Sequence, residues 1–217
     1  MKLKQLESYL QEIEPFEEPK IKLEQYQTSP HLAATILHSN QDDFAGKMVI
    51  DLGCGSGIFT AGVTYLEANY VLGIDIDPDA LEVCQRNLTN AFLDDDAGGK
   101  YSSGNYDLML GDVTDLSSFD RLQKSVDTVI MNPPFGTRVE GMDMTFLDRA
   151  LDLATTTVLS LHKTSTRDHI QRRVAKMQGN ITMTVVAELR FDLPATYKFH
   201  KQRSVDIEVD LIRFSIE

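Results

Sequence analysis

The chain has 217 residues, of which 42% are hydrophobic, and its formal net charge at pH 7 is −12. This length suits one α/β domain with a full core and is too short for two comfortable domains. The sequence has neither an apolar run of about 18 residues nor a charged-then-apolar leader, which argues against a membrane span or a secretory signal, so we expect an intracellular protein.

The charge is distributed unevenly along the chain. Residues 1–115 contain 7 Lys and Arg against 20 Asp and Glu, a net charge of −13, whereas residues 116–217 contain 14 against 13, a net charge of +1. Within the second part, residues 162–203 contain 9 basic and 3 acidic residues, a net charge of +6. Such a basic segment suits phosphate groups even on an acidic protein, although a solvated helix face is the commoner cause of a basic cluster.

Two helices are predicted before the first strand. Apolar residues recur every three or four positions through residues 1–13, which is the pattern of an amphipathic helix. Ser29 is a suitable cap for a second helix, which has Pro30 at its first position. The polar residues just before this cap therefore lie at a helix entrance and by themselves resemble capping residues: Gln25, Tyr26 and Thr28.

A strand, a glycine turn and a helix follow. The apolar run over residues 47–52 leads into Gly53-Cys54-Gly55-Ser56-Gly57 and then into a helical pattern over residues 58–66. Glycines there let the backbone approach a ligand and open the helix amino end toward it. The next predicted strand ends in Asp75, 22 residues after Gly53, where a carboxylate can accept from both ribose hydroxyls. This order indicates an adenosine-containing ligand; the alternative is that Asp75 and Asp77 only cap the following helix.

The third predicted strand covers residues 106–110 and is followed by Asp112. A short acid at this strand end can receive the amino group of an adenine, although Asp112 could equally be a turn residue. Between the preceding helix, residues 78–90, and this strand lies a polar, glycine-rich stretch over residues 93–105, which we interpret as a surface loop.

Asn132-Pro133-Pro134-Phe135 stands directly after the strand-like run over residues 126–131. Two consecutive prolines cannot sit in a central strand, so the strand must end here. The carboxyl ends of strands border the ligand crevice of an α/β sheet, so this rigid turn places an amide and an aromatic ring over whatever is bound. The alternative is a proline-stiffened loop whose Phe135 is part of the core.

The second half of the chain is predicted to add a helix over residues 142–154 and a strand over residues 155–161. A basic loop beginning at His162 and Lys163 then leads into a helix over residues 166–177, whose cations should be mostly solvated. Two β-rich runs, 181–189 and 205–214, are consistent with an antiparallel hairpin at the sheet edge. Their connection, residues 190–204, interleaves aromatic with basic residues, which suits single-stranded nucleic acid; the alternative is core aromatics and edge-protecting cations.

The two cysteines, Cys54 and Cys84, provide neither a metal site nor a disulfide framework. Cys54 lies inside the glycine turn, where a small residue is expected. We therefore expect both thiols to be reduced and structural.

Taken together, the strand-like segments, the glycine turn, the acid after the second strand and the Asn-Pro-Pro-Phe turn resemble a class I S-adenosylmethionine-dependent methyltransferase. More closely, the chain resembles the methyltransferase-like family that makes N6-methyladenosine in eukaryotic small-subunit ribosomal RNA. The matching segments cover nearly the whole chain: LEQYQTSPHLAA, DLGCGSG, GIDIDPDAL, VIMNPPFGT, SLHKTSTRDH, AELRFDLPATYKFHK and SVDIEVDLIRF. The stretch over residues 93–105 departs from the family in length.

The resemblance implies an α/β, Rossmann-like fold with a seven-stranded, mostly parallel sheet, a C-terminal antiparallel hairpin and helices on both faces. It implies a single domain over residues 1–217, in which residues 1–45 are a helical extension that contributes to the cofactor pocket. It also implies the cofactor S-adenosylmethionine without a metal, a ribosomal RNA substrate, and a heterodimer with a small zinc-binding activator that pairs along a sheet edge. A location in the nucleus, nucleolus and cytoplasm is expected.

By the same resemblance, the catalytic turn is Asn132, Pro133, Pro134 and Phe135. The implied cofactor contacts are Gln25, Thr28, Asp51, Gly53, Gly55, Ser56, Ile58, Asp75, Ile76, Asp112 and Val113. The basic side chains expected to bind RNA are Lys163, Arg167, Lys198, His200, Lys201 and Arg203.

Two other kinds of function fit parts of the pattern. A DNA adenine or protein glutamine methyltransferase would use the same turn on a planar amine or amide, although the basic, aromatic segment from Arg190 to Arg203 weighs against a protein substrate. A non-catalytic RNA-binding module would keep the fold without turnover, which the intact Asn132 and cofactor loop make a poorer explanation.

Overall fold

The computed structural model describes residues 1–93, 105–115, 119–177, 179–194 and 204–217, with the backbone alone at 93, 192–194 and 204–206. Its described helices are α1 (Leu3–Leu10), α2 (Pro30–Ser39), α3 (Ile58–Tyr65), α4 (Pro78–Leu93), α5 (Met142–Leu153) and α6 (Arg167–Val174). Its strands are β1 (Met48–Leu52), β2 (Tyr70–Asp75), β3 (Tyr106–Leu110), β4 (Val126–Met131), β5 (Ala154–Lys163), β6 (Ile181–Pro194) and β7 (Ser204–Ile216). The predicted loop over residues 93–105 lies almost entirely outside the described residues.

The seven strands form one sheet in the order β3-β2-β1-β4-β5-β7-β6. Strands β1 to β5 run parallel to one another. Strand β7 lies between β5 and β6 and runs antiparallel to both. The chain moves outward from β1 to β3, then returns to the other side of β1 with β4. Because the strand order reverses between β1 and β4, a crevice forms at the carboxyl ends of these two strands. The predicted mostly parallel sheet and its C-terminal hairpin are confirmed.

Two hydrophobic clusters pack on the sheet. One contains α1, α2 and α3, and within it the α2 and α3 backbones approach closely at Gly62, where an added Cβ would lie 2.3 Å from Leu37 Cδ1. The other packs α5 and α6 around the fully buried residues Leu147 and Phe214. Helices therefore cover both faces, which explains why the central strands are apolar almost throughout.

The predicted N-terminal helices are confirmed with slightly different bounds. Leu6, Leu10 and Ile13 are buried, as their spacing predicts. The Ser29 hydroxyl accepts a hydrogen bond from the Leu32 amide at 3.3 Å and Pro30 begins α2. The sequence pattern thus fixes the start of this helix through a cap and a proline at its first position.

The carboxyl end of β5 corrects one prediction. His162 and Lys163 do not begin a loop: they are the last residues of β5, and His162 is completely buried. The strand is longer than its apolar run because β7 pairs with it as far as Lys163↔Val209. The polar end of β5 is therefore held by a partner strand more than forty residues away in the chain, which a local pattern does not reveal.

Candidate active site

A pocket opens at the carboxyl edge of the parallel strands, where the segment between α1 and α2 closes one side of it. Its walls come from the glycine turn after β1, the ends of β2, β3 and β4, and the amino end of α5. The residues that line it are Phe16, Lys22, Leu23, Glu24, Gln25, Tyr26, Gly53, Gly55, Ile74, Asp75, Ile76, Gly111, Asp112, Val113, Asn132, Pro134, Val139, Met142 and Phe146. Nine of the residues predicted from the sequence for catalysis or cofactor binding are among them.

The glycine turn presents backbone to this pocket. Gly53 and Gly55 have φ values of +78° and +54°, which side chains rarely adopt. A Cβ at Gly55 would also lie 2.7 Å from the Phe16 ring, and one at Gly53 would lie 3.0 Å from the Phe146 ring. The turn therefore needs glycine both for its conformation and for the close packing of the aromatic rings beside it.

Asp75 lies at the end of β2 and supports the glycine turn. Its Oδ2 accepts from the Gly55 amide at 2.8 Å and its Oδ1 accepts from the Asp77 amide at 2.9 Å. Burial raises the pKa of Asp75, while these amide hydrogen bonds act in the opposite direction. Because a carboxylate has about four acceptor sites, Asp75 keeps the capacity to accept a further donor from the pocket.

Asp77 has the capping role that the sequence analysis gave as an alternative. Its carboxylate accepts from the Asp79 amide, from Lys20 Nζ and from Gln25 Nε2. Burial alone would raise the pKa of Asp77, but the hydrogen bonds from Lys20 and Gln25 lower it. Gln25 also accepts from the Lys20 amide at 2.7 Å, so this side chain fastens the N-terminal segment to the start of α4.

The amide of Asn132 is fixed on one side and open on the other. Its Nδ2 donates to the Thr28 hydroxyl at 3.0 Å. Its Oδ1 is buried and has no hydrogen-bond partner among the described residues. An unpartnered buried acceptor costs free energy, typically about 1–3 kcal/mol, so it marks a place where a donor from a ligand would be stabilising.

Glu24 contacts the Asn-Pro-Pro-Phe turn directly, and this contact was not predicted from the sequence. Its Oε2 accepts from the Phe135 amide at 2.9 Å and its Oε1 accepts from the Arg138 amide at 2.8 Å. These pairs are separated by 111 and 114 positions in the chain. The only local signal was its place beside Gln25 in the LEQYQT segment, and it does not identify the partner.

Phe135 is part of an aromatic cluster and is 5% exposed. Its ring centroid lies 5.5 Å from that of Tyr26 and 6.2 Å from that of Phe191, which meets it edge-on at 89°. The core position that the sequence analysis gave as an alternative is therefore the one Phe135 occupies here. Tyr26, which belongs to the N-terminal segment, separates part of this ring from the pocket.

Several predicted cofactor contacts lie beneath the pocket and do not line it. Asp51 is 1% exposed, and its Oδ2 accepts from the Thr60 hydroxyl at 2.6 Å. Burial raises the pKa of Asp51 to about 7. The others that are buried and absent from the pocket wall are Thr28, Ser56 and Ile58.

Three further predicted contacts line the pocket: Ile76 after β2, and Asp112 and Val113 after β3. Asp112 forms a turn in which its Oδ1 accepts from the Thr114 amide and hydroxyl, both at 2.8 Å. Ile76, after β2, is 48% exposed, and Val113 is nearly buried. Apolar side chains and a carboxylate thus both line this part of the pocket.

The predicted RNA-binding cations are only partly within the described residues. Lys163 is half-buried, and Arg167 is held by Asp210 at 2.6 Å and by Glu188 at 2.6 Å. Arg167 therefore secures the start of α6 to the hairpin in addition to any contact with RNA. The remaining four predicted residues lie outside the described part of the chain: Lys198, His200, Lys201 and Arg203.

Both cysteines are free and buried, as expected. Across the residues the structure describes, no cluster of three or more His, Cys, Asp or Glu could hold a metal ion. None of the described helices is long and apolar enough to cross a membrane.

The sheet order, the pocket at the carboxyl edge of the strands and the Asn-Pro-Pro-Phe turn define a class I, S-adenosylmethionine-dependent methyltransferase. In agreement, the sequence model of the family described as ribosomal protein L11 methyltransferase (PrmA) matches residues 31–115. The crystal structure of PH1948 from Pyrococcus horikoshii, described as a candidate RNA methyltransferase, matches all of this chain and 98% of its own with a TM-score of 0.82 and 30% identity.

Two curated relatives extend over the whole chain. The rRNA N(6)-adenosine-methyltransferase METTL5 of Danio rerio is 50% identical over 219 residues, which are 99% of this chain and 99% of the relative. The rRNA N(6)-adenosine-methyltransferase Mettl5 of Drosophila melanogaster is 46% identical over 220 residues, which are 100% of this chain and 97% of the relative. The chain belongs to this family of rRNA N6-adenosine methyltransferases.

Proposed function

We propose that this enzyme transfers a methyl group from S-adenosylmethionine to the N6 amino group of a single adenosine in small-subunit ribosomal RNA. The observation that carries this proposal is the buried, unpartnered Oδ1 of Asn132, whose amide nitrogen is fixed by Thr28. An amino group of a planar base supplies the donor that this oxygen lacks. The family to which the chain belongs acts on such a nitrogen in ribosomal RNA, according to the names of the relatives.

The residues around the pocket fit S-adenosylmethionine. Gly53 and Gly55 line the pocket, and the Asp75 carboxylate can accept a further hydrogen bond, as from a ribose hydroxyl. Asp112, which lines the pocket together with Val113, would accept from an adenine amino group. When bound, this cofactor supplies an activated methyl group on a sulfonium, which is a good leaving group.

The catalytic turn orients the acceptor nitrogen. The exocyclic nitrogen of adenine is a poor nucleophile because its lone pair is delocalised into the ring. Asn132 Oδ1 and the Pro133 carbonyl together can accept its two N–H groups, which favours a pyramidal nitrogen whose lone pair is available for attack. Orientation of this kind can contribute about 7–11 kcal/mol at its upper limit. A general base is not needed before transfer, since the cationic product loses its proton readily.

Phe135 is proposed to stack on the adenine after the base leaves its own strand, which would stabilise it by about 1–3 kcal/mol. Because Phe135 is packed against Tyr26 and Phe191, this stacking requires one of those rings to move. Substitution of Tyr26 by alanine should therefore alter the affinity for RNA as well as the packing of the turn.

The proposed partner is a small zinc-binding activator protein that pairs along a sheet edge. Of the two edge strands, β3 offers five residues that end in Leu110, which is 61% exposed. An exposed leucine on an edge strand is stabilised when another strand covers it. The activator would stabilise the folded enzyme by mass action, so we expect poor solubility of the isolated chain and improvement on coexpression.

The proposed activity is tested by mass spectrometry of ribosomal RNA nucleosides after incubation with the enzyme, the activator and the cofactor. Formation of N6-methyladenosine is the expected result. Asn132→Ala should reduce the single-turnover rate by about a hundredfold or more with little change in cofactor affinity, because orientation acts mainly on the transition state.

An exposed asparagine provides the matched control, and Asn69→Ala should methylate at the parent rate. Methyl transfer by Asn132→Ala at the parent rate would overturn the catalytic assignment. Transfer to DNA or to a glutamine side chain in place of RNA would favour the alternative methyltransferases, and cofactor binding without any transfer would favour the binding module.

A further inference from the structure

Residues 24–28 contact the catalytic turn at three places. Glu24 accepts from the Phe135 amide of the turn and from the Arg138 amide just after it, the Tyr26 ring packs against Phe135, and the Thr28 hydroxyl accepts from the Asn132 side chain. The same segment lines the cofactor pocket through Glu24, Gln25 and Tyr26. One short stretch of chain therefore connects the pocket wall with the residues that face the acceptor nitrogen.

The sequence of the turn explains why an outside acceptor is required. Neither Pro133 nor Pro134 has an amide hydrogen, so Phe135 provides the first backbone donor after Asn132. That donor is part-buried, and its partner is the Glu24 carboxylate at 2.9 Å. The second oxygen of the same carboxylate binds the Arg138 amide at 2.8 Å, so Glu24 spans the carboxyl-terminal side of the turn. Hydrogen bonds to an ionised acceptor are the stronger kind.

The backbone of Glu24 gives independent support. Its φ is +52°, a left-handed conformation that costs free energy for a residue with a Cβ and that glycine adopts readily. Glycine at this position would satisfy the backbone but would lack the carboxylate. Glutamate in this conformation is therefore accounted for by the contacts of its side chain.

We infer that Glu24 is a positioning residue that holds the Asn-Pro-Pro-Phe turn in register with the cofactor pocket. This inference rests on the proposed methyl transfer to an adenosine amino group. By fixing the Phe135 and Arg138 amides, Glu24 sets where the proline turn lies and hence where Asn132 Oδ1 meets the acceptor nitrogen. A displacement of about 1 Å at such a turn can slow transfer by a hundredfold.

The test compares Glu24→Gly with Glu67→Gly. Glu67 is an exposed glutamate with a φ of +63°, so its replacement relieves the same kind of backbone strain away from the pocket. Both variants should fold, which thermal melting checks. Glu24→Gln adds an intermediate case. Its carboxamide oxygen can still accept from one of the two backbone amides, but its NH2 group is a donor and cannot accept from the other.

Two measurements are made on each variant. Hydrogen exchange of the Phe135 and Arg138 amides is followed on the chain without RNA or cofactor, and single-turnover methyl transfer is followed with the activator at saturating RNA and cofactor. In Glu24→Gly both amides should exchange faster by about tenfold or more, since their acceptor is gone. The transfer rate should fall by about tenfold to a hundredfold. Glu67→Gly should match the parent in both.

Unchanged exchange of the two amides in Glu24→Gly, or an unchanged rate despite faster exchange, would overturn the positioning role. The proposed function would still stand in that case if the parent enzyme methylates RNA and the Asn132→Ala variant does not. Conversely, a parent that transfers no methyl to RNA would remove the proposed function, and the amide exchange would still report whether Glu24 holds the turn. The two failures are therefore distinguishable.

Discussion

At the scale of the residue, the amide nitrogen of Asn132 lies against the Thr28 hydroxyl. An amide has a donor end and an acceptor end of nearly the same shape, so either could face the pocket. The Thr28 hydroxyl accepts from Nδ2, and Oδ1 is buried without a partner among the described residues. This arrangement suits a substrate that donates hydrogen bonds, and it gives Thr28 a role in addition to the predicted cofactor contact.

Thr28→Val keeps the shape of the side chain and removes the acceptor. We expect the methyl-transfer rate at saturating RNA and cofactor to fall by about tenfold, because a neutral hydrogen bond of about 1 kcal/mol is lost and the amide is free to turn over. Thr35→Val is the matched control, since the Thr35 hydroxyl donates within its own helix to the His31 carbonyl. A loss confined to cofactor affinity, measured by calorimetry, would assign Thr28 to the cofactor and not to Asn132.

Asp51 makes stability depend on pH. Burial raises its pKa to about 7, above the ordinary value of 3.8. Between these values the folded protein retains a proton that the unfolded chain has lost, so the stabilisation is present below about pH 4 and is lost as pH rises toward 7. The free energy of unfolding in urea should therefore decrease less between pH 5 and pH 7 in Asp51→Asn than in the parent. An equal slope in both proteins would contradict the shifted pKa; Asp42→Asn, at an exposed position, is the control.

At the scale of the element, the turn between β1 and α3 depends on glycine for space as well as for conformation. Gly57 caps α3 with a φ of +90°, and a Cβ there would lie 2.4 Å from Cys84 Sγ on α4. Gly46 has a φ of +68° with nothing within 4 Å of an added Cβ. A substitution at Gly46 therefore tests backbone strain alone, whereas one at Gly57 tests backbone strain together with helix packing.

Gly46→Ala should destabilise the protein by about 1–2 kcal/mol, the cost of a left-handed conformation for a residue with a Cβ. Gly57→Ala should destabilise it by a further amount of about 1–3 kcal/mol, because α3 and α4 must move apart to admit the methyl group. Urea unfolding of both variants measures the difference. Equal losses of unfolding free energy in the two variants would mean that α3 and α4 move apart without destabilising the protein.

Another element-scale feature lies where α5 passes directly into β5. Lys124 Nζ donates to the carbonyls of Leu151 and Ala154 at 2.7 and 2.8 Å. These are carbonyls of the last helical turn and the first strand residue, which otherwise lack partners within the helix. The cation thus allows an abrupt change from helix to strand without a loop.

At the scale of the whole molecule, the uneven charge is consistent with the proposed RNA substrate. The net charge of −13 in residues 1–115 repels phosphate, whereas that of +6 in residues 162–203 attracts it. RNA should therefore approach from the side of the sheet that carries the hairpin. The segment with the clearest mixture of cations and aromatics, residues 195–203, lies outside the described part of the chain.

Replacement of Lys198, Lys201 and Arg203 by alanine should weaken RNA binding and make it less sensitive to salt. Each lost phosphate contact to a single strand lowers the slope of log affinity against log salt by about 0.7, so three contacts lower it by about 2. The control replaces Lys2, Lys4 and Lys47, which changes the net charge equally within the acidic half. Equal slopes in the two triple variants would contradict a phosphate-binding role for the hairpin.

The sequence by itself determined the strand segments, the C-terminal hairpin, the glycine turn and the position of Asn132 after β4. These features depend on local periodicity, on caps such as Ser29 and on residues such as proline and glycine that restrict the backbone directly. The backbone preferences of residues close together in the chain are enough to predict these features.

Only the tertiary structure decided which distant groups meet. The bond from Phe135 to Glu24 crosses 111 positions, and the bond from Asn132 to Thr28 crosses 104. The burial of Phe135 beneath Tyr26, and of His162 in β5, likewise depends on segments that are remote in the chain. Hydrogen bonds and packing act over a few ångströms in space regardless of sequence separation, so they are fixed only once the sheet and the N-terminal segment have assembled.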